Sequence, residues 1–361
     1  MQRIDPPMFA IRFYRIYDIG DEIDLASLER DLAASMPTTR SRFLRVKPTS
    51  ITIEEPPLLI RLQGSEAETP GGTLPLSSMA RIYDFGAISI CLYLEDMHAP
   101  SRALEDVALH FAGEEHLAGH FESALTELRT ILAPHLGVRP LDPGFYDDYT
   151  IFLADHHDPG FDPVAILLGE RAEFSQEIRT ETLRHTYSYY HDEKAILSWN
   201  GALLFSPEPP LDLIELIEFA SVQVLELRFY ERELSRQMEK MYDDIENADR
   251  QWWISRIFKY QALMKDLMSE QAEVSEIIEE INNFIKVTED VYYARVYAAA
   301  LQVLRSNQWT DSVNRKIATI RETYRMLSEE VNVQHAHFLE WIVIGLIALE
   351  ILIFILPIPG H

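Results

Sequence analysis

The stretch "FLADHHDPG", Phe152 to Gly160, holds side chains of the types that bind metal ions. A strand-like apolar run ends there in Asp155, His156, His157 and Asp158. Imidazole and carboxylate ligands suit Mn²⁺ or Zn²⁺, which activate water for hydrolysis. These residues are therefore candidate metal ligands. The alternative is a polar turn after a strand, which can have this composition by chance.

The same four residues resemble the motif of the DHH phosphoesterases, which implies a metal-dependent phosphohydrolase. That superfamily also needs aspartate motifs on earlier strands. Here Asp84, Asp96, Asp147 and Asp148 are candidates by residue type alone, because none follows the expected pattern.

The remaining chemical motifs argue against common classes of site. His116 and His120 in "EEHLAGH" are spaced for one helix face, but no glutamate follows His116 as zinc proteases require. Neither GxxxxGK[ST] nor GxGxxG occurs, so nothing indicates nucleotide binding by those loops. The single cysteine, Cys91, lies in an apolar run, which predicts a buried, inert thiol in a reducing compartment. We predict no cofactor.

Composition and charge limit the class of protein. The 361 residues suffice for about two domains. The net charge of −26, from 32 basic and 58 acidic residues, repels phosphate backbones, so we expect no direct nucleic-acid partner. The N-terminus has the pattern of neither a signal nor a transit peptide, which predicts a cytoplasmic main body in a bacterium.

The first two hundred residues mix short strands and helices. Apolar alternation or helical periodicity with turn residues at the ends supports each element. The predicted strands are Met8 to Gly20, Ser77 to Glu95, Tyr146 to Asp155 and Lys194 to Phe205, and the predicted helices include Asp24 to Ser35 and Ile178 to Asp192. We predict an α+β fold with a mixed α/β-sheet domain over residues 1–205.

After "SPEPP" the pattern becomes helical. Three helices with apolar residues at alternating steps of four and three predict a long antiparallel, coiled-coil-like domain over residues 211–337. The second helix is expected from Gln251 to Ser306, followed by a turn at "SNQWTDS". The third helix carries the candidate oligomerisation seam, formed by Val313, Ile317, Ile320, Tyr324, Leu327 and Val331.

The same register continues into an apolar tail, residues 338–358. Its length of about 31 Å is enough to cross a bilayer core. Glu350 costs roughly 2.5–3.5 kcal/mol at mid-membrane, which the aliphatic residues can offset. We predict a C-terminal transmembrane anchor in which copies pack together. The membrane residues are Trp341, Gly345, Ala348, Glu350 and Leu352. The alternative is a buried helix of a large bundle.

Four segments resemble the required for meiotic nuclear division family, whose bacterial members are called YagE-like. These are "YDFGAI", "LSWNGALLF", "QVLELRFYERELSRQME" and the terminal "HFLEWIVIGLIALEILI". The resemblance implies a membrane protein and a homo-oligomer, similar to a member that supports translation in mitochondria. Because no transit peptide is present, the mitochondrial location does not transfer. The family has no established catalytic residues to carry over.

Together these observations predict a membrane-anchored homo-oligomeric scaffold or adaptor in the bacterial inner membrane, with its N-terminal domain in the cytoplasm. Its expected partners are the lipid bilayer, further copies of the chain and an unidentified protein. The alternative is the metal-dependent phosphohydrolase centred on Asp155, His156, His157 and Asp158.

Overall fold

The computed structural model describes residues 8–18, 23–32, 38–40, 56–98, 100–113, 116–135, 142–156, 160–248 and 291–355. Its strands are β1 (Met8–Asp18), β2 (Thr38–Arg40), β3 (Leu58–Thr69), β4 (Gly72–Ile82), β5 (Ala87–His98), β6 (Tyr146–Ala154), β7 (His185–Tyr187), β8 (Lys194–Leu197) and β9 (Gly201–Phe205). Its helices are α1 (Leu25–Leu32), α2 (Ser101–His110), α3 (Ala118–Leu132), α4 (Pro163–Leu168), α5 (Gln176–Thr182), α6 (Leu211–Ala248), α7 (Val291–Val303) and α8 (Ser306–Ile355).

Within these residues, nine strands form one mixed sheet in the order β2-β3-β4-β5-β1-β6-β9-β8-β7. Neighbours pair antiparallel except β6 and β9, which run parallel. This parallel pair requires a crossover, and the chain between the two strands supplies it with α4, α5 and the β7–β8 hairpin. The predicted α+β class, with an N-terminal mixed sheet and helices, is confirmed.

The sheet is covered on both faces, which the alternation in β1 makes possible. Phe13 and Tyr17 belong to one core, whereas Tyr14 and Ile16 belong to the other, because successive side chains of a strand point to opposite faces. Helices α1 to α4 contribute buried residues to the first core. Helices α6 and α7 contribute to the second.

A buried ion-pair cluster lies between α6 and the sheet. Arg81 of β4 donates hydrogen bonds from Nη2 to Glu215 Oε1 at 2.6 Å and from Nη1 to Glu218. The Glu218 side chain is 1% exposed. Burial raises the pKa of Glu218, while the neighbouring Arg81 acts in the opposite direction. Since such charges are costly without partners, the cluster favours one position of α6 on the sheet.

The predicted strand Ser77 to Glu95 is wrong, since two strands and a tight turn occupy it. β4 and β5 are joined at Tyr83 to Gly86, where Tyr83 N donates to Ala87 O at 2.9 Å. Gly86 has φ +96°, which favours glycine. Lys194 to Phe205 likewise forms a hairpin, β8 and β9, rather than one strand.

The helix predicted over Ile178 to Asp192 ends earlier. α5 stops at Thr182, and His185–Tyr187 forms edge strand β7, paired with β8. Threonine and tyrosine favour extended backbone, and pairing with β8 supplies the ladder hydrogen bonds that a helix would otherwise provide.

Two of the three long C-terminal helices are described, as α6 and α8. Of the predicted second helix, residues 251–306, only 291–306 are described, and they contain α7. The predicted turn at "SNQWTDS" is wrong, because α8 begins at Ser306. The turn lies instead at Leu304 and Arg305, and Arg305 has φ +59°.

The described residues divide into two compact units. One unit contains the sheet, α6 as far as Phe229, and residues 291–309. The other contains α6 from Tyr230 and α8 from Thr310. The predicted domain boundaries, residues 1–205, 211–337 and 338–358, remain predictions.

Within the second unit, α6 and α8 are joined by polar contacts. Lys316 Nζ donates to Glu231 Oε1 at 2.5 Å and to the Glu231 carbonyl at 3.2 Å. It also contacts Ser235 Oγ, and Ser312 Oγ donates to Glu231 Oε1 at 3.2 Å. These contacts fix the relative position of the two helices.

The predicted transmembrane anchor and membrane location are wrong. Among the described residues, no helix combines the length and the apolar character that crossing a membrane requires. Glu340 and Glu350 bracket an uninterrupted apolar run, Trp341 to Leu349. That run is less than half the roughly 20 residues that a bilayer core requires.

Candidate functional site

A cavity of about 510 Å³ lies at the end of the sheet where β6 begins. Pairing between β6 and β9 starts only at Thr150 and Gly201, so Tyr146 to Tyr149 extend past the end of β9. The cavity is lined by residues from both faces of the sheet at this point. Its volume lies within the range of small-molecule sites.

One charged pair at the cavity is Arg15 of β1 with Asp148 of β6. Arg15 Nε donates to Asp148 Oδ1 at 2.7 Å, and Nη2 donates to Oδ2 at 2.6 Å. The guanidinium carbon lies 4.1 Å from the centre of the Tyr146 ring and 4.6 Å from that of Phe121. Burial lowers the pKa of Arg15, but the hydrogen bonds and charge of Asp148 outweigh it, so the pKa is raised. The Arg15 side chain is only 8% exposed, and we assign it a structural role.

The second charged pair, Arg228 of α6 with Asp147 of β6, is more open. Arg228 donates from Nη1 to Asp147 Oδ1. The guanidinium carbon lies 5.8 Å from the centre of the Phe145 ring and 5.6 Å from that of Trp309. The Arg228 side chain is 29% exposed. Asp147 and Asp148 are consecutive in a strand, which explains why their arginines approach from opposite faces of the sheet.

Apolar side chains form much of the remaining wall. They include residues of β1, α3 and α4, and Phe111, Ala112 and Leu117 between α2 and α3. The buried members are Phe13, Phe111, Leu117, Phe121, Ile166 and Leu167. The cavity therefore combines an apolar wall with two guanidinium–carboxylate pairs.

The turn between β8 and β9 closes one side of the cavity through Trp199, Asn200 and Gly201. Thr150 N donates to the Asn200 carbonyl at 3.1 Å, which fixes the turn against β6. A Cβ at Gly201 would lie 2.5 Å from Thr150 O, so only glycine permits this approach.

Of the cavity residues, sequence analysis named only Asp147 and Asp148, and only by type. Arg15 had a usable signal, because its inward position among apolar residues of an alternating strand indicates a buried, paired charge. For Arg228, a charged residue in a largely apolar part of α6, the corresponding signal is weaker.

Two of the proposed metal ligands lie at the other end of β6. Asp155 and His156 follow its last residue, and Asp155 Oδ1 lies 2.7 Å from His156 Nδ1. His157 and Asp158 lie outside the described residues. Within the part of the chain that the structure describes, no group of three or more His, Cys, Asp or Glu side chains is arranged to bind a metal ion.

The two histidines of "EEHLAGH" contact different partners. His120 Nδ1 lies 2.9 Å from Ser65 Oγ, and the His116 ring stacks on that of His110. Cys91 is buried, and burial raises the pKa of its thiol to about 12. Its thiol is therefore protonated at neutral pH and unsuited to nucleophilic chemistry.

The candidate oligomerisation residues lie in α8. Val313 and Ile320 are buried within the chain, and Ile317 is half-buried. The Tyr324, Leu327 and Val331 side chains lie outside the described part. Their role in oligomerisation remains a prediction, and at least two members of the seam already pack within one chain.

Farther along α8, a run of large aliphatic side chains faces solvent. Seven side chains within Ile342 to Ile351, which we call the aliphatic segment, are each 42% to 61% exposed: Ile342, Val343, Ile344, Leu346, Ile347, Leu349 and Ile351. Gly345, Ala348 and Glu350 of the same segment are also exposed, and the Trp341 and Leu352 side chains lie outside the described part.

The family model described as Uncharacterized protein MJ0711, N-terminal domain, matches residues 8–210, more than half of the 361-residue chain. The Uncharacterized protein MJ0711 of Methanocaldococcus jannaschii is 26% identical over 218 residues, which cover 58% of this chain and 66% of that protein. The match thus spans just under two thirds of the relative. No solved structure matches.

These comparisons correct the resemblance to the required for meiotic nuclear division family, which is wrong. That resemblance rested on four short segments, and apolar strand and helix patterns of this length recur in unrelated folds. The match over residues 8–210 covers the entire described sheet, including β1 and β6 at the cavity. The chain belongs to the family of the Uncharacterized protein MJ0711, N-terminal domain.

Proposed function

We propose that the protein is a homo-oligomeric scaffold or adaptor, and that copies of the chain associate through the aliphatic segment of α8. The observation that carries this proposal is the exposure of seven large aliphatic side chains within ten consecutive residues. Contiguous apolar patches of this kind on a protein surface mark interaction sites.

The arrangement of the segment favours several identical neighbours over one. Consecutive residues of a helix are about 100° apart, so the seven aliphatic side chains spread over roughly 220° of its circumference, and Ala348 and Gly345 lie in the remaining arc. A helix that is apolar all round is normally buried. A bundle formed by copies of α8 buries more of this surface than a single seam does, and closed assemblies of identical chains are the commonest oligomers.

The energetic gain is of the same order as the cost of association. Burying the exposed half of all seven large aliphatic side chains, as in a bundle, contributes about 5–10 kcal/mol per chain. The association cost is about 4–15 kcal/mol. A Cβ at Gly345 would meet no atom within 4 Å, so this glycine leaves space for a neighbouring helix to approach.

Sedimentation velocity of the full chain in aqueous buffer tests the proposal. The wild type is expected as an assembly of several copies. Leu346→Asp combined with Ile347→Asp is expected to give monomers, because buried carboxylates without partners are strongly disfavoured. The matched control is Asn314→Asp with Ala318→Asp, two exposed positions of the same helix outside the segment, which leave the assembly unchanged.

Three results would contradict self-association. The first is a wild type that is monomeric. The second is that the Leu346→Asp Ile347→Asp variant keeps the same assembly as the wild type. The third is a monomeric wild type that binds to added phosphatidylcholine vesicles and sediments with them.

A second candidate function is the metal-dependent phosphohydrolase. The contact between Asp155 Oδ1 and His156 Nδ1, with both side chains partly exposed, favours it, since carboxylates commonly orient metal-binding histidines. Calorimetric titration with Mn²⁺ or Zn²⁺ is the test. Binding that is lost in His156→Ala His157→Ala, but kept in the control His116→Ala His120→Ala, is the expected result. No binding to the wild type would exclude this function.

A further inference from the structure

We propose that the cavity at the start of β6 binds a small amphipathic monocarboxylate, whose apolar body packs in the cavity and whose carboxylate pairs with Arg228. This binding function is separate from self-association. It rests on the shape and wall of the cavity, on the hydrogen-bonding state of its two arginines, and on the use of its aromatic rings.

The cavity accommodates an apolar body. Its volume of about 510 Å³ lies within the range of drug-sized ligand sites. The wall that α3, α4 and the residues Phe111 and Leu117 contribute is aliphatic and aromatic, and Phe111, Leu117 and Ile166 are all buried. A ligand that packs against this wall removes apolar surface of both the ligand and the protein from water, which favours binding.

The two arginines differ in their capacity to accept an anion. Arg15 makes two parallel hydrogen bonds with Asp148, and its side chain is only 8% exposed, so little of its guanidinium is accessible to a ligand. Arg228 makes one described hydrogen bond, from Nη1, and more than a quarter of its side chain is exposed. A guanidinium has five N–H donors in a fixed fork that matches a carboxylate. Arg228 is therefore the residue that can pair with a ligand carboxylate while keeping Asp147.

The aromatic rings argue against an organic cation as the ligand. Recognition of ammonium groups uses exposed ring faces. Here the Arg15 guanidinium lies against Tyr146 and Phe121, and the Arg228 guanidinium lies near Phe145 and Trp309. The protein's own cations already occupy these ring faces, so the rings are not open to a second cation.

Three ligands with one apolar body and different head groups test the proposal: decanoate, decanol and decylammonium. Calorimetric titration of the full chain is expected to give one decanoate per chain, weaker binding of decanol, and the weakest binding of decylammonium. In Arg228→Gln the affinity for decanoate is expected to fall about ten- to hundredfold, which corresponds to one hydrogen-bonded charge. Binding of decanol is expected to change little.

Matched variants separate the cavity from other apolar surfaces. Gly113→Trp places a large side chain at the cavity, and its Cβ meets no atom within 4 Å. Its control, Gly119→Trp on α3, has the same open surroundings and does not line the cavity. The control for Arg228→Gln is Arg236→Gln, an exposed residue of α6. Only Gly113→Trp and Arg228→Gln are expected to weaken decanoate binding.

Three results would overturn the proposal. The first is that decanoate does not bind at all. The second is binding with the same affinity in all four variants, as expected for attachment to the aliphatic segment of α8. The third is weaker binding of decanoate than of decylammonium. Circular dichroism and thermal melting of each variant establish that the fold is intact, so loss of binding reports on the cavity.

Discussion

Replacing Arg81 by Met tests whether the buried charge cluster under α6 is balanced by this one cation. Arg81 donates to both Glu215 and Glu218, and the substitution removes the charge while keeping much of the side-chain volume. Glu218, which is 1% exposed, is then left as a buried carboxylate without its main counter-charge. Glu215 retains more access to solvent.

The expected loss of unfolding free energy is about 3–5 kcal/mol, as for other buried pairs that lose one partner. Replacing the buried acid as well, in Arg81→Met Glu218→Gln, is expected to recover part of this loss, because no buried charge remains at position 218. The matched control is Arg325→Met, which breaks an exposed ion pair with Glu322 on α8 and is expected to change stability little, as is usual for surface pairs.

The pH dependence provides an independent check. Burial raises the pKa of Glu218 in the folded protein, and Arg81 opposes this rise. A carboxyl group with a raised folded pKa contributes stability below its unfolded pKa of about 4.3 and loses that contribution as pH rises through the folded pKa. Since Arg81→Met raises this pKa further, the unfolding free energy of the variant is expected to fall more steeply above about pH 4.3 than that of the wild type.

Urea denaturation followed by tryptophan fluorescence, at several pH values between 4 and 8, measures both effects. The reasoning is refuted if Arg81→Met is as stable as Arg325→Met at pH 7. It is also refuted if Arg81→Met and wild type have parallel stability profiles over this range.

Three further predictions concern single positions. Gly201→Ala is expected to destabilise the fold by about 1–3 kcal/mol, measured by urea denaturation, because the added Cβ would lie 2.5 Å from Thr150 O. The hydrogen bond from Arg179 lowers the pKa of Asp162. The Asp162 carboxylate therefore contributes stability above its unfolded pKa of about 3.9, and this contribution is lost as pH falls through the lower folded pKa. Because Asp162→Asn removes this group, the unfolding free energy of the variant is expected to fall less steeply with decreasing pH. Cys91, with its pKa raised to about 12 by burial, is expected to resist iodoacetamide at pH 8 in the native protein and to react once urea unfolds the chain.

The sequence alone determined those elements whose evidence is local. Apolar alternation in Met8–Asp18 predicts a strand, because the side chains of a strand must alternate between two faces. Asp24 is of a residue type that favours the position before a helix, and its Oδ1 accepts from Ser27 N at 2.9 Å. Periodicity likewise predicted the helical character of α6 and much of α8. Each of these sequence patterns depends only on residues that are close together in the chain.

The boundaries of helices and strands were harder to predict where the local sequence pattern competes with the pairing of distant strands or with a tight turn. The alternation in "SSMARIYDFGAISICLYLE" continues through the turn, because both strands of the hairpin face the same two cores. His185–Tyr187 continues a helical pattern but pairs with β8, and that partner is not visible in the local sequence. The aliphatic run on α8 suggested a membrane span from composition, although carboxylates interrupt it.

Only the tertiary structure revealed the cavity and the residues that line it. Arg15 and Asp148 are 133 residues apart in sequence, and Asp147 and Arg228 are 81 residues apart. The order β5-β1-β6-β9 places β1 beside β6, and the late start of β9 leaves the beginning of β6 open. Periodicity gives the face to which a side chain points, but it carries no information about which distant strand or helix lies opposite. That choice depends on strand order and on the burial of two cores at once, and these are properties of the whole sheet.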